Sequence, residues 1–211
     1  MENTPVPFEP IELDRIVKTS NALINAAWSL SENQAKLVYI VASRVKISDA
    51  DFKDYTFEAG ELLEALGIET RTGDAYKKLK KLTRSLIREP LEYQDGDDYV
   101  QAAWFCTAVY RKGGKVLLQF APRLKKHYVG LIEAGNFTSQ QLGVVLGLKG
   151  EYAIRIHGFL TAAAYKRSKE GFWTVRLSLA ELRRLFMLED KYLGKSGPAN
   201  IHLRVIAPAV A

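Results

Sequence analysis

The chain has 211 residues, of which 47% are hydrophobic and 26% charged, a composition that excludes a disordered protein and fits one large or two small domains. Its formal net charge is +6, no apolar run approaches the roughly 20 residues that cross a bilayer, and residues 1–5 lack the basic and apolar pattern of a secretory signal. Because Cys106 is the single cysteine, an internal disulfide is excluded and we expect a protein of the reducing cytoplasm.

The N-terminal segment is predicted to be loose and is followed by a well-marked helix start. Residues 1–15 are rich in proline and acids, which predicts a flexible arm. Ser31 and Gln34 form a capping-box pattern ahead of an apolar run, which predicts that a helix begins there. The cap interrupts a zipper-like set of leucines spaced by seven residues, so core packing is the favoured interpretation for Leu23, Leu30 and Leu37.

The next elements form a helix-turn-helix pattern. A short strand is predicted over Tyr55–Phe57 and a helix over Glu58–Leu66. Gly67 is placed to end that helix, because glycine tolerates the left-handed conformation that follows a helix C-terminus. After a brief turn at residues 69–73, a longer helix is predicted to begin near Asp74.

The apolar period changes to two after Pro90, which predicts strands. Leu91–Tyr93 is one short strand, and Trp104–Tyr110 and Val116–Phe120 are two longer ones joined by a glycine-containing turn. The alternation places on one face of the middle strand Trp104, Cys106, Ala108 and Tyr110. A hairpin after a helix-turn-helix is the wing of a winged helix.

The remainder of the chain repeats part of this order. Its predicted elements are a short helix over 122–131, a segment over 137–148 that fits a strand or a helix, a long helix over 151–167 ended by Gly171, and a strand over 173–177. A second capping box, Ser178 with Glu181, begins another helix, and a last helix begins near Pro198.

These elements predict an α+β fold of the winged helix-turn-helix type. The order helix, strand, helix, turn, helix recurs in the second half and stops at Ala211 before a hairpin. We therefore expect a flexible arm at 1–15, a complete first winged-helix domain at 16–148 and the truncated start of a second winged-helix domain at 149–211.

Basic charge is concentrated in the second helix of the predicted helix-turn-helix. The segment Arg71–Arg88 holds seven basic residues and the single acid Asp74. At 100° per residue its leucines fall within about 40° of Ala75, whereas five cations fall at about 140° to 240°, on the opposite side. Cations without intervening acids repel one another, and a DNA backbone would balance that repulsion. Two alternatives are a solvated helix face and an anionic membrane surface.

DNA recognition gives these cations distinct predicted roles. The central outer residues Lys77, Lys81 and Arg84 are expected nearest the base edges, where Arg84 would pair with a guanine. Phosphate contacts are expected from the flanking residues of the helix and from the hairpin turn, namely Lys78, Lys80, Arg88, Arg111, Lys112 and Lys115. Arg71, at the start of the basic segment, completes the predicted interface within the first domain.

The sequence contains no combination of residues at the spacing of a known type of catalytic or metal site, and we expect neither an enzyme nor a cofactor. His127, His157 and His202 stand far apart, with no cysteine or carboxylate at metal-ligand spacing, so structural or surface roles are favoured. Cys106 is expected to be a small packed hydrophobe. The acids around Gly96 are typical of a plain turn rather than of a cation site.

Five segments together resemble plasmid replication initiator (Rep) proteins of the iteron-binding, twin winged-helix type. They read VKTSNALI (17–24), LSENQAKL (30–37), AYKKLKKL (75–82), LKGEYAIR (148–155) and LRVIAPAV (203–210). The resemblance implies binding to repeated origin sequences as a monomer, one winged helix per major groove, origin melting and recruitment of host replication proteins. It also implies a homodimer, joined through the first domain, that represses its own gene.

The sequence departs from this family in two places. Ile156–Leu160 replaces a Leu-Tyr-Glu-Leu run, and its Gly158 weakens the helix by up to ~1 kcal/mol. The last helix has Asn200 and His202 where basic residues are common, which leaves Arg204 as its expected DNA contact. Two other functions stay open: a winged-helix transcriptional repressor, and a dimerisation or partner-binding module in which the hairpin over 104–120 mediates self-association.

Overall fold

Strands and short helices alternate through the first part of the computed structural model, which describes residues 9–46, 48–70, 74–95, 97–164 and 174–210. Its elements up to residue 120 are β1 (Ile16–Ser20), α1 (Asn21–Ile24), α2 (Glu32–Ala42), β2 (Tyr55–Glu58), α3 (Ala59–Ala65), α4 (Ala75–Arg88), β3 (Pro90–Asp95), β4 (Asp98–Ala103), β5 (Phe105–Tyr110) and β6 (Lys115–Phe120).

Helices dominate the rest of the chain. A 3-10 helix, Pro122–His127, precedes α5 (Leu131–Ala134), β7 (Phe137–Gln141) and α6 (Leu142–Gly147). The second half holds α7 (Glu151–Ala163), α8 (Leu179–Leu185) and a terminal helix composed of α9 (Gly197–Ile201), a π-helical segment (His202–Ile206) and α10 (Ala207–Val210).

Within the described residues, the strands form three small antiparallel sheets. The three-stranded sheet has the order β2–β6–β5, so β6 is the central strand and pairs with β5 on one side and with β2 on the other. Strands β3 and β4 pair with each other, and β1 pairs with β7 from Ile16–Gln141 to Ser20–Phe137. The last pairing joins segments more than 100 residues apart and so closes the first part of the chain into one unit.

Helix α2 forms the centre of the core, as its capping and apolar pattern predicted. Ser31 accepts a hydrogen bond from the Gln34 amide while the Gln34 side chain accepts one from the Ser31 amide, which satisfies two amides that the helix leaves free. Leu37, Ile40 and Val41 are fully buried within the main core cluster.

The predicted helix-turn-helix is confirmed by α3 and α4, which contact each other. Gly67 follows α3 with a φ of 66°, a conformation that glycine adopts without the steric cost of a side chain. In α4, Ala75, Leu79 and Leu86 are buried, so the apolar stripe holds the helix against its own domain.

The structure corrects the prediction for the strand that begins at Trp104. An irregularity between Phe105 and Thr107 shifts the register of β5 against β6, which places Phe105 in the core and Cys106 at the surface. The expectations that Cys106 packs as a small hydrophobe and shares a face with Trp104 are therefore wrong. Strand β4 was also not predicted, because it is half-exposed and its sequence has no clear alternation.

Two further segments differ from their predicted structure. The segment over 137–148, which fitted a strand or a helix, is both: β7 runs directly into α6. Residues 9–15, predicted as part of a flexible arm, are held in place, since Glu9 pairs with Arg15 at 2.7 Å and with Arg44 at 3.0 Å. In addition, the Leu13 carbonyl accepts a hydrogen bond from the Gly143 amide at 2.8 Å.

The second half has its own apolar cluster. Phe159 of α7, Leu185 of α8, and Ile201 and Val205 of the terminal helix are buried together with Ile24 of α1. The capping box of Ser178 and Glu181 at the start of α8 is confirmed. Residues 174–177 form no strand, which corrects the prediction over 173–177, whereas Gly171 and Trp173 lie outside the described residues.

Gly158 gives a first prediction: Gly158→Ala should raise the free energy of unfolding by about 1 kcal/mol. A Cβ atom there would lie 3.5 Å from Ile24 Cδ1 and 3.8 Å from Ile24 Cγ2, which is ordinary van der Waals contact. The helix-propensity gain is therefore not offset by a clash. Urea unfolding of both proteins measures the difference.

A matched control is Gly130→Ala, because Gly130 has a φ of 70° that a Cβ disfavours. That variant should lose stability. A lower unfolding free energy for Gly158→Ala would contradict the prediction and show that α7 approaches α1 too closely for a methyl group.

Candidate nucleic-acid interface

The outer face of α4 is a continuous basic surface. All six of its cationic side chains are exposed, namely Lys77, Lys78, Lys80, Lys81, Arg84 and Arg88. Within the described ranges, the single carboxylate paired with any of them is that of Asp74, whose Oδ1 is 3.0 Å from Lys77 Nζ in an exposed pair. Such a surface pair contributes little free energy, so the positive charge of the face is not neutralised within the fold.

The tip of the β5–β6 hairpin extends this basic surface. Arg111, Lys112 and Lys115 are exposed there, around a turn whose two glycines both have positive φ. A Cβ on Gly114 would lie 3.9 Å from the Tyr76 hydroxyl oxygen, which places the tip beside the first turn of α4. The hairpin and the helix therefore present their cations side by side.

Tyr110 fixes the hairpin against α4. Its hydroxyl forms a 2.9 Å hydrogen bond with Thr83 Oγ1, and its ring lies 6.0 Å from that of Tyr76. Lys80 Nζ lies 5.3 Å from the centre of the same ring, within cation–π range. Burial raises the pKa of the Tyr110 phenol, which keeps it a neutral hydrogen-bonding group.

Gln34 fixes the other side of α4. Its amide nitrogen donates to Ser85 Oγ at 2.7 Å and to Glu89 Oε2 at 2.6 Å, while its oxygen completes the capping box of α2. Helix α4 is thus tied to α2 on one side and to β5 on the other. Sequence reasoning missed these contacts; the one available signal was Thr83, a polar residue close to the leucine stripe.

Two predicted site residues lie apart from this surface. Arg204 is exposed on the π-helical segment, which packs against α7, α9 and α10 rather than joining the basic face of α4. Arg71 falls outside the described residues. The structure therefore brings together nine of the predicted cations on α4 and the hairpin tip.

The three histidines occupy separate positions. His127 is buried, with Nδ1 2.6 Å from Ser20 Oγ, and burial lowers its pKa to about 4. His157 accepts a hydrogen bond at Nδ1 from the Gln140 amide at 2.7 Å, and burial lowers its pKa as well. His202 is exposed. In the described parts of the chain, no three potential metal ligands come together.

Membrane insertion through a helix has no candidate among the residues that the structure describes. Each helix in those ranges is too short or too polar to cross a bilayer. On α4, the exposed side is basic and the apolar side is buried in the core, so the helix has no free apolar face.

Comparison with known proteins identifies a matching family model and solved structures of similar fold. Residues 16–161 match the family model described as initiator replication protein, WH1. A crystal structure of the Pi initiator protein in complex with iteron DNA is similar over 95% of this chain and 86% of that chain, with a TM-score of 0.69 and 15% identity. The WH1 domain of MSBI1.176, a replication protein isolated from a multiple sclerosis patient, covers 61% of this chain and 87% of its own, with 19% identity and a TM-score of 0.36.

Proposed function

We propose a function for this chain from its family: it belongs to the initiator replication proteins. In this proposal it binds the repeated sequences of a plasmid origin, as duplex DNA, in the cytoplasm. The family is one of DNA-binding initiators, and the winged-helix fold of the chain is that of its first domain. The Pi initiator structure, which has the same fold, holds iteron DNA. No catalytic step is part of this proposal.

The observation that carries the proposal is the unneutralised charge of α4. Six exposed cations share one helix, and the described residues supply one exposed carboxylate against them. A helix of this width fits the major groove, where phosphates on both sides would balance the charge. The leucine stripe behind the helix keeps its orientation fixed while the cations face outward.

The proposed residue roles are supported by the two sets of contacts that hold α4. Lys80 lies over Tyr110 on the hairpin side, and Lys78 lines a surface cleft toward the start of α2. These positions on opposite sides of α4 support the proposal that both lysines contact phosphates at the edges of the DNA major groove. Lys77, Lys81 and Arg84 would meet the bases, because a helical period of 3.6 residues places them between Lys80 and Lys78 around the helix, although Lys81 also lines the groove beside Lys78. Arg88 and the three cations of the hairpin tip would extend the backbone contacts.

We also propose that the first domain forms a homodimer that represses its own gene, as the sequence resemblance implied. Supporting this, β4 is an edge strand: it pairs with β3, and no other described strand pairs with it. All six of its residues are exposed or half-exposed. An unpaired strand edge of six residues is suited to pairing with another chain. Origin opening and contacts with host replication proteins complete the proposal.

A selection from random duplexes followed by titration tests the roles. Lys78→Ala with Lys80→Ala should weaken binding to all duplexes alike and flatten the log–log salt slope by about 0.9 per lost contact. Arg84→Ala should instead erase the preference for the selected sequence, worth about 1–3 kcal/mol.

The matched control is Lys125→Ala with Lys126→Ala, since these lysines of the 3-10 helix pair with Asp51 and Asp95. It should leave binding nearly unchanged. Identical behaviour of the two α4 variants would contradict the role assignment. Equal weak affinity for every duplex, with tight self-association, would favour the dimerisation module instead.

A further inference from the structure

Arg155 is a buried arginine that touches both halves of the chain. It lies on α7 with 4% of its surface exposed. Its Nη2 donates to the Ala26 carbonyl at 2.8 Å and to the Leu185 carbonyl at 2.8 Å. Ala26 lies between α1 and α2 in the first domain, and Leu185 is the last residue of α8. One guanidinium nitrogen therefore joins two units, the first domain and the part of the second half that holds α8 and the terminal helix.

The surroundings of this guanidinium are aromatic rather than acidic. Its carbon lies 3.9 Å from the ring centre of Trp28, 5.1 Å from that of Phe159 and 5.4 Å from that of Phe186. No carboxylate among the described residues pairs with it, and Nε and Nη1 lack hydrogen-bond partners there. Burial lowers the pKa of Arg155 to about 9, so the group is still charged at neutral pH.

A buried unpaired charge is costly, so packing alone does not account for Arg155. An aliphatic side chain would fill the same space without a charge, but it would leave the Ala26 and Leu185 carbonyls without this donor. Rings from both units, Trp28 on one side and Phe186 on the other, also contact the cation. The specific contribution of Arg155 is the connection between the two units.

A second set of polar contacts joins α7 to the first domain. Tyr39 of α2 donates to Gln140 at 2.8 Å, and Gln140 donates to His157 at 2.7 Å. These bonds fix α7 against α2 and β7 but do not reach α8. The hydrogen bond from Arg155 to Leu185 does reach it, and this directional contact adds to the apolar packing of Ile24 against Leu185, which by itself has no hydrogen-bond geometry to fix the position of α8.

We propose that Arg155 is a positioning residue for DNA binding, which fixes α8 and the terminal helix against the first winged helix so that both units engage one duplex. The DNA part of this inference rests on the proposed function. The cations concerned are those of α4 in the first unit and Arg204 of the terminal helix in the second. Loss of the connection would leave each unit folded but free to reorient.

Hydrogen–deuterium exchange of the full chain tests the connection without DNA. In Arg155→Met, amides of α8 and the terminal helix should exchange at least about tenfold faster, whereas those of α2 and α4 should be unchanged. Arg155→Lys, which retains the charge but loses the planar fork, should give an intermediate increase. Arg176→Met, at an exposed arginine that precedes α8, is the control and should match the wild type.

Two duplexes test the positioning role: a sequence of about 20 base pairs selected by the wild type, and a shorter form of about one helical turn that spans the α4 contact. Arg155→Met should lose about tenfold in affinity for the long duplex, equivalent to about 1.4 kcal/mol, and less than about twofold for the short one. Arg155→Lys should recover part of the loss.

Each other outcome overturns a defined part of the inference. Equal losses on both duplexes, or exchange rates that rise throughout the chain, would show that Arg155 supports general stability. Unchanged exchange of α8 would show that it does not connect the units. If the wild type binds neither duplex, the proposed function fails together with the DNA part, while the exchange experiment still decides the connection.

Discussion

Gln34→Glu is expected to lower the free energy of unfolding by about 3 kcal/mol at neutral pH. The introduced carboxylate would still accept the hydrogen bond from the Ser31 amide and keep the capping box of α2. Its second oxygen, however, would stand where the amide now donates to Glu89 Oε2 at 2.6 Å. Two carboxylates at that distance repel each other, and the donated hydrogen bonds that tie α2 to α4 are lost.

The loss should depend on pH in a defined direction. Repulsion raises the pKa of the introduced carboxyl in the folded state above its ordinary value of about 4.3. Stability is therefore retained below about pH 4.3, where the unfolded state is also protonated, and is lost as pH rises through the raised pKa. Urea unfolding of the variant and the wild type from pH 4 to pH 8 measures this dependence.

The double variant Gln34→Glu with Glu89→Gln is the matched control, because it exchanges donor and acceptor across the same contact. It should recover most of the lost stability, giving a coupling free energy of about 1–3 kcal/mol between the two positions. A pH-independent loss, or a double variant no more stable than Gln34→Glu, would show that Gln34 does not tie α2 to α4 through Glu89.

Charge reversal on the outer face of α4 should have the largest effect on DNA binding. Lys78→Glu with Lys80→Glu, at the two proposed phosphate contacts, is expected to reduce affinity for the selected duplex at least about 100-fold near physiological salt and to flatten the log–log salt slope by about 2. Both side chains are exposed, so the fold should tolerate the change. Fluorescence anisotropy at several salt concentrations gives the affinity and the slope.

The control for net charge is Lys125→Glu with Lys126→Glu, which changes the charge of the protein by the same amount away from α4. Its slope should stay close to that of the wild type, because counterion release depends on contacts rather than on total charge. Equal losses for the two double variants would contradict the assignment of α4 as the DNA-contacting helix and would indicate a diffuse electrostatic attraction.

Both predictions follow from the way in which α4 is supported. Its leucines enter the core, Gln34 holds the side that faces α2, and Tyr110 holds the side that faces β5. The cations between these supports cannot turn inward without breaking one of them. Recognition of bases in the DNA major groove requires a rigid helix that holds its side chains in fixed directions, because a displaced side chain loses its hydrogen-bond geometry with the base.

Local elements of this protein were predictable because their signals lie within a few residues of one another. The capping boxes at Ser31 and Ser178 and the glycine end of α3 each depend on neighbours along the chain. The same holds for the opposed leucine and lysine stripes of α4, which a helical period of 3.6 residues separates whatever the surroundings. The basic helix, the hairpin and the winged-helix order were therefore predictable from the chain alone.

Contacts between distant segments were not predictable in this way. The outward position of Cys106 depends on a register shift of β5 against β6. Residues 9–15 are fixed by contacts with Arg44 and Gly143, which lie far along the chain. The contacts of Gln34 span more than 50 residues, and that of Arg155 with Ala26 spans 129. The residues next to such a side chain in the sequence do not indicate its partners, because the partners become neighbours when packing brings distant parts of the backbone together.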